Sequence, residues 1–214
     1  MPVALKPRLR GVFHEYSFFV SLLSGVVLVL ASSADAARVA SAVYSASLAG
    51  LFGISALYHR VTWQPRARRW MRRLDHAMIY LLIAGTYTPL TLLVMSPHTG
   101  ALVLRLVWSA PLAGIVLNVA WITAPRWVSV TVYGLLAWAG AGIVPELLAR
   151  VAAPTVLLLV LGGVVYSLGA LAYVTRRPNP APATFGYHEV FHTLTIAAAG
   201  LHFAAVSSVV LTAA

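Results

Sequence analysis

Two histidines four residues apart, His188 and His192, stand at the start of the last apolar stretch of this 214-residue chain, within Gly186-Tyr187-His188-Glu189-Val190-Phe191-His192. On a helix, residues i and i+4 lie on one face a turn apart, so two imidazoles at this spacing can share a metal ion. A polar pair at membrane depth is costly to place and marks a functional site by default. His59 offers a third nitrogen, Asp75 a carboxylate, and Ser55, one helical turn from His59, a hydroxyl. A three-nitrogen set suits zinc, because imidazole is a preferred ligand and three protein ligands leave a fourth position for water. Zinc lowers the pKa of that water to about 7 and polarises a carbonyl. Asp75 is then the carboxylate that accepts or shuttles the proton, or orients a ligating histidine. Ser55 is placed to hold the water or a substrate oxygen.

His188-Glu189-x-x-His192 also matches the metalloprotease pattern, in which the glutamate is general base. On a helix Glu189 is rotated about 100° from His188. The simpler expectation is a carboxylate favoured by the positive N-terminal end of its helix. His202 lies ten residues beyond His192, about 15 Å along the axis, too far to share the metal. It is expected to be hydrogen-bonded inside the bundle or to line a cavity. His76 adjoins Asp75 on another face and reads as packing. His14 and Glu15 read as a second layer around the site or as part of the interface, and His98 as a solvated loop residue.

These residues need elements to hold them. The chain is 60% hydrophobic and 9% charged, with a mean hydropathy of +0.86, whereas a soluble domain carries about 25% charged residues. Most of the chain is therefore solvated by lipid. A crossing needs about 20 apolar residues, and seven candidates appear: Ser17–Ala34, Val39–Tyr58, Leu74–Met95, Ala101–Ile122, Trp127–Leu148, Pro154–Val174 and Val190–Thr212. Linkers are short, so a single domain over 1–214 is expected. Backbone satisfaction in lipid requires helices, since nothing alternates like a barrel strand. The expectation is an all-α, seven-helix integral membrane bundle.

Orientation follows the positive charges. With the N-terminus cytoplasmic, twelve of the fifteen Lys and Arg residues fall inside, including Lys6, Arg8, Arg10, Arg60 and the Arg66–Arg73 cluster. Only Arg38, Arg105 and Arg150 fall outside. The C-terminus is then outside, in a plasma (inner) membrane. The net charge of +10 serves topology and anionic headgroups rather than nucleic acid. With no cysteine, thiolate metal sites are excluded. The basic start, the apolar run and Ala34-Asp35-Ala36 imitate a secretory leader, but the run is long and His14-Glu15 interrupts the link between the basic and apolar parts, so a retained span is expected. This topology brings Ser55, His59, Asp75, His188 and His192 to one depth near the inner leaflet.

Three blocks carry a resemblance: Ser55-Ala56-Leu57-Tyr58-His59; Leu74-Asp75-His76-Ala77-Met78-Ile79-Tyr80 with Ala84-Gly85-Thr86-Tyr87-Thr88-Pro89; and Gly186 to His192. Together they resemble the hemolysin III family, the bacterial branch of the progestin and adiponectin receptor group. That group belongs with alkaline ceramidases to a superfamily of membrane hydrolases. The resemblance implies a seven-helix bundle with zinc near the inner leaflet. Its S-x-x-x-H maps onto Ser55 and His59, its aspartate onto Asp75 and its H-x-x-x-H onto His188 and His192. Activities associated with the family include hydrolysis, receptor-like signalling, regulation of membrane state and pore formation. The expected function is a zinc-dependent hydrolase of lipid amide or ester bonds, ceramidase-like, with membrane lipids as its partners. A metal-stabilised regulator or receptor and a pore-forming hemolysin are the alternatives.

Overall fold

Long apolar stretches in lipid have one local solution, because a helix pairs every interior N–H and C=O within its own segment. The structure, a computed structural model, describes residues 6–120 and 126–213. Eight helices follow one another: α1 (Val12–Ala31), α2 (Asp35–Arg60), α3 (Pro65–Leu93), α4 (Pro97–Ala120), α5 (Arg126–Trp138), α6 (Val144–Arg150), α7 (Ala153–Thr175) and α8 (Tyr187–Thr212). Among the described residues, six stretches are long and apolar enough to cross a membrane: α1, α2, α3, Val130–Arg150, α7 and α8. The chain is thus a multi-pass helical membrane protein.

Two expected spans differ from the helices found. Hydropathy starts the third at Leu74, but α3 begins at Pro65, where proline's missing N–H and fixed φ suit the first helical turn. Its first turns are arginine-rich and escape an apolar search. Asp75 consequently sits in the third turn of α3, not the first. The fifth span is no single helix. α5 passes through a 3₁₀ turn at Ala139–Ile143 into α6, where Gly140 and Gly142 lower helix propensity and Pro145 lacks an N–H. The far end of the fourth span, to Ile122, lies outside the described residues.

Neighbouring helices pack as consecutive pairs, α1 on α2, α2 on α3, α3 on α4 and α7 on α8. The α1–α2–α3 contacts are close because small residues face each other, the usual device where lipid offers no hydrophobic drive between helices. A Cβ on Gly25 of α1 would lie 2.6 Å from Ser45 Cβ, and one on Gly85 of α3 would lie 2.8 Å from Ser47 Cβ. Tyr44, Leu48, Leu51 and Phe52 of α2 join Leu82 of α3 and Ala199, Val206 and Val210 of α8 in the main core. Leu22, Leu23, Val26 and Leu30 of α1 are exposed, as lipid-facing side chains should be.

Candidate metal centre

His59 closes the last turn of α2 and His188 opens the first turn of α8, so the two helix ends meet. Their Nε2 atoms are 3.2 Å apart. His192, one turn further along α8, turns its ring to the same point. One nitrogen from each of His59, His188 and His192 lies within 4.8 Å of the others, an arrangement that could hold a metal ion. His59 and His192 are buried and His188 is partly so.

Asp75 stands outside that three-nitrogen group, but its side chain is hydrogen-bonded to Ser55. Asp75, Ser55, His188 and His192 all line one cavity of about 610 Å³. His76 lines it too, although its sequence position read as packing on another face; its carbonyl accepts a 3.4 Å hydrogen bond from the Tyr133 hydroxyl. The remaining wall is mostly apolar. On α3 it runs from Arg72 to Leu90, about 27 Å of helix, close to the thickness of a bilayer's hydrocarbon. Trp127, Trp138 and Leu171 line the cavity and are also exposed on the outside of the bundle, and the Trp138 indole N–H donates to the Ser167 hydroxyl at 2.9 Å across the wall between α5 and α7. His202 lines the deep part, with Nε2 3.0 Å from the Leu159 carbonyl oxygen. It is hydrogen-bonded inside the bundle, as its sequence position implied.

Glu189 does not face the histidines. It is fully buried and forms an ion pair with Arg10, while its Oε2 accepts the Gly186 N–H at 2.8 Å. Glu189 thus satisfies one of the free N–H groups at the start of α8, and it is spoken for as a structural acid.

The segment before α1 carries features that spacing alone could not reveal. Residues 7–11 cross the end of the bundle as a strap. Arg8 and Leu9 donate backbone hydrogen bonds to the carbonyls of Ala183 and Thr184, at 3.1 and 3.2 Å. Gly11 has φ 83°, and a Cβ there would lie 2.7 Å from the Cβ of His59. Glycine alone fits both the left-handed backbone and the close approach. Arg60, next to His59, pairs with Glu15 of α1 at 2.8 Å. His14 is 3% exposed and its ring stacks on His192, centroids 3.8 Å apart and planes 12° from parallel. His14 therefore belongs to the packing around the three histidines. The available sequence signal was Arg10-Gly11 just before the first apolar run.

The whole chain, not only the motif, has relatives. Residues 3–203 match the family model for haemolysin-III related proteins. A protein named Hemolysin-3 from Bacillus cereus is 27% identical over 197 residues, covering 91% of this chain and 87% of its own length. A Hemolysin-3 homolog from Bacillus subtilis (strain 168) is 30% identical over 161 residues, covering 75% and 72%. With residues 3–203 of its 214 matched by the family model, this multi-pass chain with a buried cluster of three histidines belongs to the haemolysin-III related family.

Proposed function

We propose that this protein is a zinc-dependent membrane hydrolase of lipid amide or ester bonds, working at the inner leaflet of the plasma membrane. The observation that carries the reading is the three-histidine cluster beside a long, mostly apolar cavity that has exposed side chains in its wall. In this reading α4 and the broken α5–α6 element each make one crossing. The total is seven, with the N-terminus cytoplasmic and the C-terminus outside. The arginine-rich end of the bundle is then the inner one.

The donor set fits zinc. With bonds of 2.0–2.1 Å in a tetrahedral site, two ligand nitrogens lie about 3.3 Å apart, and His59 and His188 are already 3.2 Å apart. Three neutral nitrogens without a fourth protein ligand make an open rather than a closed site. His59, His188 and His192 would hold the ion, which supplies a Lewis acid for a carbonyl and acidifies water.

The chain's own groups do the rest. Asp75 takes the proton that leaves the attacking water and returns it to the departing amine or alcohol. Ser55, hydrogen-bonded to Asp75, holds that carboxylate in place and is within reach of a substrate oxygen. The apolar wall excludes bulk water and fixes the acyl chain, so that the carbonyl is delivered to the histidine end.

Metal analysis and lipid turnover test the reading together. Wild type should carry about one zinc per chain, whereas His59→Ala and His188→Ala should carry almost none and be inactive. Asp75→Asn should keep its zinc and lose about 10²–10⁴-fold in fatty-acid release from a lipid panel. Turnover that survives both Asp75→Asn and His188→Ala would refute the hydrolase.

A second reading, a metal-tied regulator without turnover, draws on the packing of the site. Three helices converge there, with α1 contributing the His14 ring stacked on His192. It requires His59→Ala to lower the thermal midpoint sharply while wild type shows no turnover on any lipid. The relatives' name raises pore formation as a further alternative. The hydrolase reading expects the purified protein to leave dye-loaded liposomes intact.

A further inference from the structure

The chain has only five acidic residues, and four of them are taken. Glu189 pairs with Arg10, Asp35 with Arg38, Glu15 with Arg60 and Glu146 with Arg150. The fifth, Asp75, is hydrogen-bonded to Ser55. Among the described residues, Arg66, Arg68, Arg69, Arg72 and Arg73, all on the first turns of α3, form no ion pair with a carboxylate. The Arg73 guanidinium rests over the Trp70 ring at 4.4 Å, and its Nε is buried without a hydrogen-bond partner. Topology accounts for positive charge somewhere in this loop. It does not account for Arg72 lining the cavity, one helical turn before Asp75.

We propose that Arg72 is the headgroup-binding residue of the cavity and that the group it binds is a phosphate carried by an anionic lipid. The assignment rests on the reading of this cavity as a lipid site and narrows it. A guanidinium is the side chain best matched to phosphate, with paired N–H donors and a permanent charge. Arg72 and Asp75 are separated by about 4.5 Å along α3. In a glycerophospholipid the phosphate and the first ester carbonyl are likewise a few bonds apart. Phosphate at Arg72 thus brings an ester carbonyl level with Asp75 and the histidines, and sends the acyl chain into the apolar cavity.

Native mass spectrometry of the detergent-solubilised full chain tests this, with dioleoyl phosphatidylglycerol and dioleoyl phosphatidylcholine as competing probes. Wild type should retain one phosphatidylglycerol with about tenfold preference, the scale expected of a single charge-assisted contact. Arg72→Gln should abolish that preference. Arg66→Gln removes the same charge from the same helix and should leave the preference intact. Equal loss in both variants, or no preference in wild type, would overturn the proposal, because general surface potential would then be sufficient. Inorganic phosphate at matched concentration separates the sources. Failure to displace the lipid supports a headgroup site, whereas complete displacement overturns the lipid assignment in favour of free phosphate. His188→Ala, which loses the metal in the hydrolase reading, should bind phosphatidylglycerol as wild type does. An inactive wild type that still shows Arg72-dependent retention would therefore refute the hydrolase and leave this site standing.

Discussion

The two sides of the bundle are built differently. In the most apolar windows of α2 and α3, 61% of residues are buried, against 6% in Val130–Arg150. On the α1–α2–α3 side, glycines press against serines on the neighbouring helix; on the other side Gly134 and Gly142 have no atom within 4 Å of where a Cβ would go, while Gly140 and Gly162 make room for the Tyr87 and His202 side chains. The histidines sit at the ends of α2 and α8, and the cavity lies between α3 and the later helices α5 to α8. Ligands for a metal must be held within tenths of an ångström, whereas a flexible lipid chain needs room and a way in. A metal at the histidines and a lipid in the cavity, as proposed, would divide these demands between the helix ends and the space beside α3.

The largest test of that division is Glu189→Ala. It leaves Arg10 without its partner and Gly186 without an acceptor at the start of α8. Breaking a fully buried pair from one side costs about 3–5 kcal/mol; with Arg10 21% exposed the loss should approach the lower end, and the thermal midpoint in detergent should fall by several degrees. The double variant Arg10→Ala/Glu189→Ala should recover part of the loss. An unchanged midpoint in the single variant would mean that the strap contributes nothing to stability. Next in size is Gly85→Ala, whose new methyl meets Ser47. Overpacking of this kind costs about 1–3 kcal/mol, and a partner change of Ser47→Gly should relieve it. Absence of rescue would locate the cost elsewhere than at the α2–α3 contact. The smallest effect belongs to Gly134→Ala. With open space around it, the substitution should stabilise α5 by about 0.5–1 kcal/mol through helix propensity alone. A destabilised Gly134→Ala protein would show that the loose side is more tightly packed than its geometry indicates.

Much of the site could be read from residue order because its parts obey local rules. His188 and His192 are related by helical period, and His59 comes to them through the alternation of apolar spans with basic loops. The direction of Glu189 could not be read in this way. It is decided by Arg10, 179 residues earlier, and no periodicity reports a contact of that range. The stacking of His14 on His192 was hidden for the same reason. The early start of α3 was hidden because its first turns are charged and carry no apolar signal, with Pro65 as the one local clue. The break between α5 and α6 was partly legible in Ala139-Gly140-Ala141-Gly142, a poor helical sequence inside an otherwise apolar run.

The strap also bears on how the protein is made. Arg10 emerges from the ribosome early, and its partner Glu189 belongs to the last of the described helices. At 5–20 residues per second, that interval is on the order of ten to forty seconds. Through it, Arg10 has no carboxylate to close upon, although His59, against which Gly11 is fitted, is already made. Two of the three nitrogens of the proposed site arrive with the same late helix, so the chain could not hold the ion while its earlier helices enter the membrane. Capture of the proposed ion, insertion of the last helix and closure of the strap would therefore converge on one late event in biogenesis.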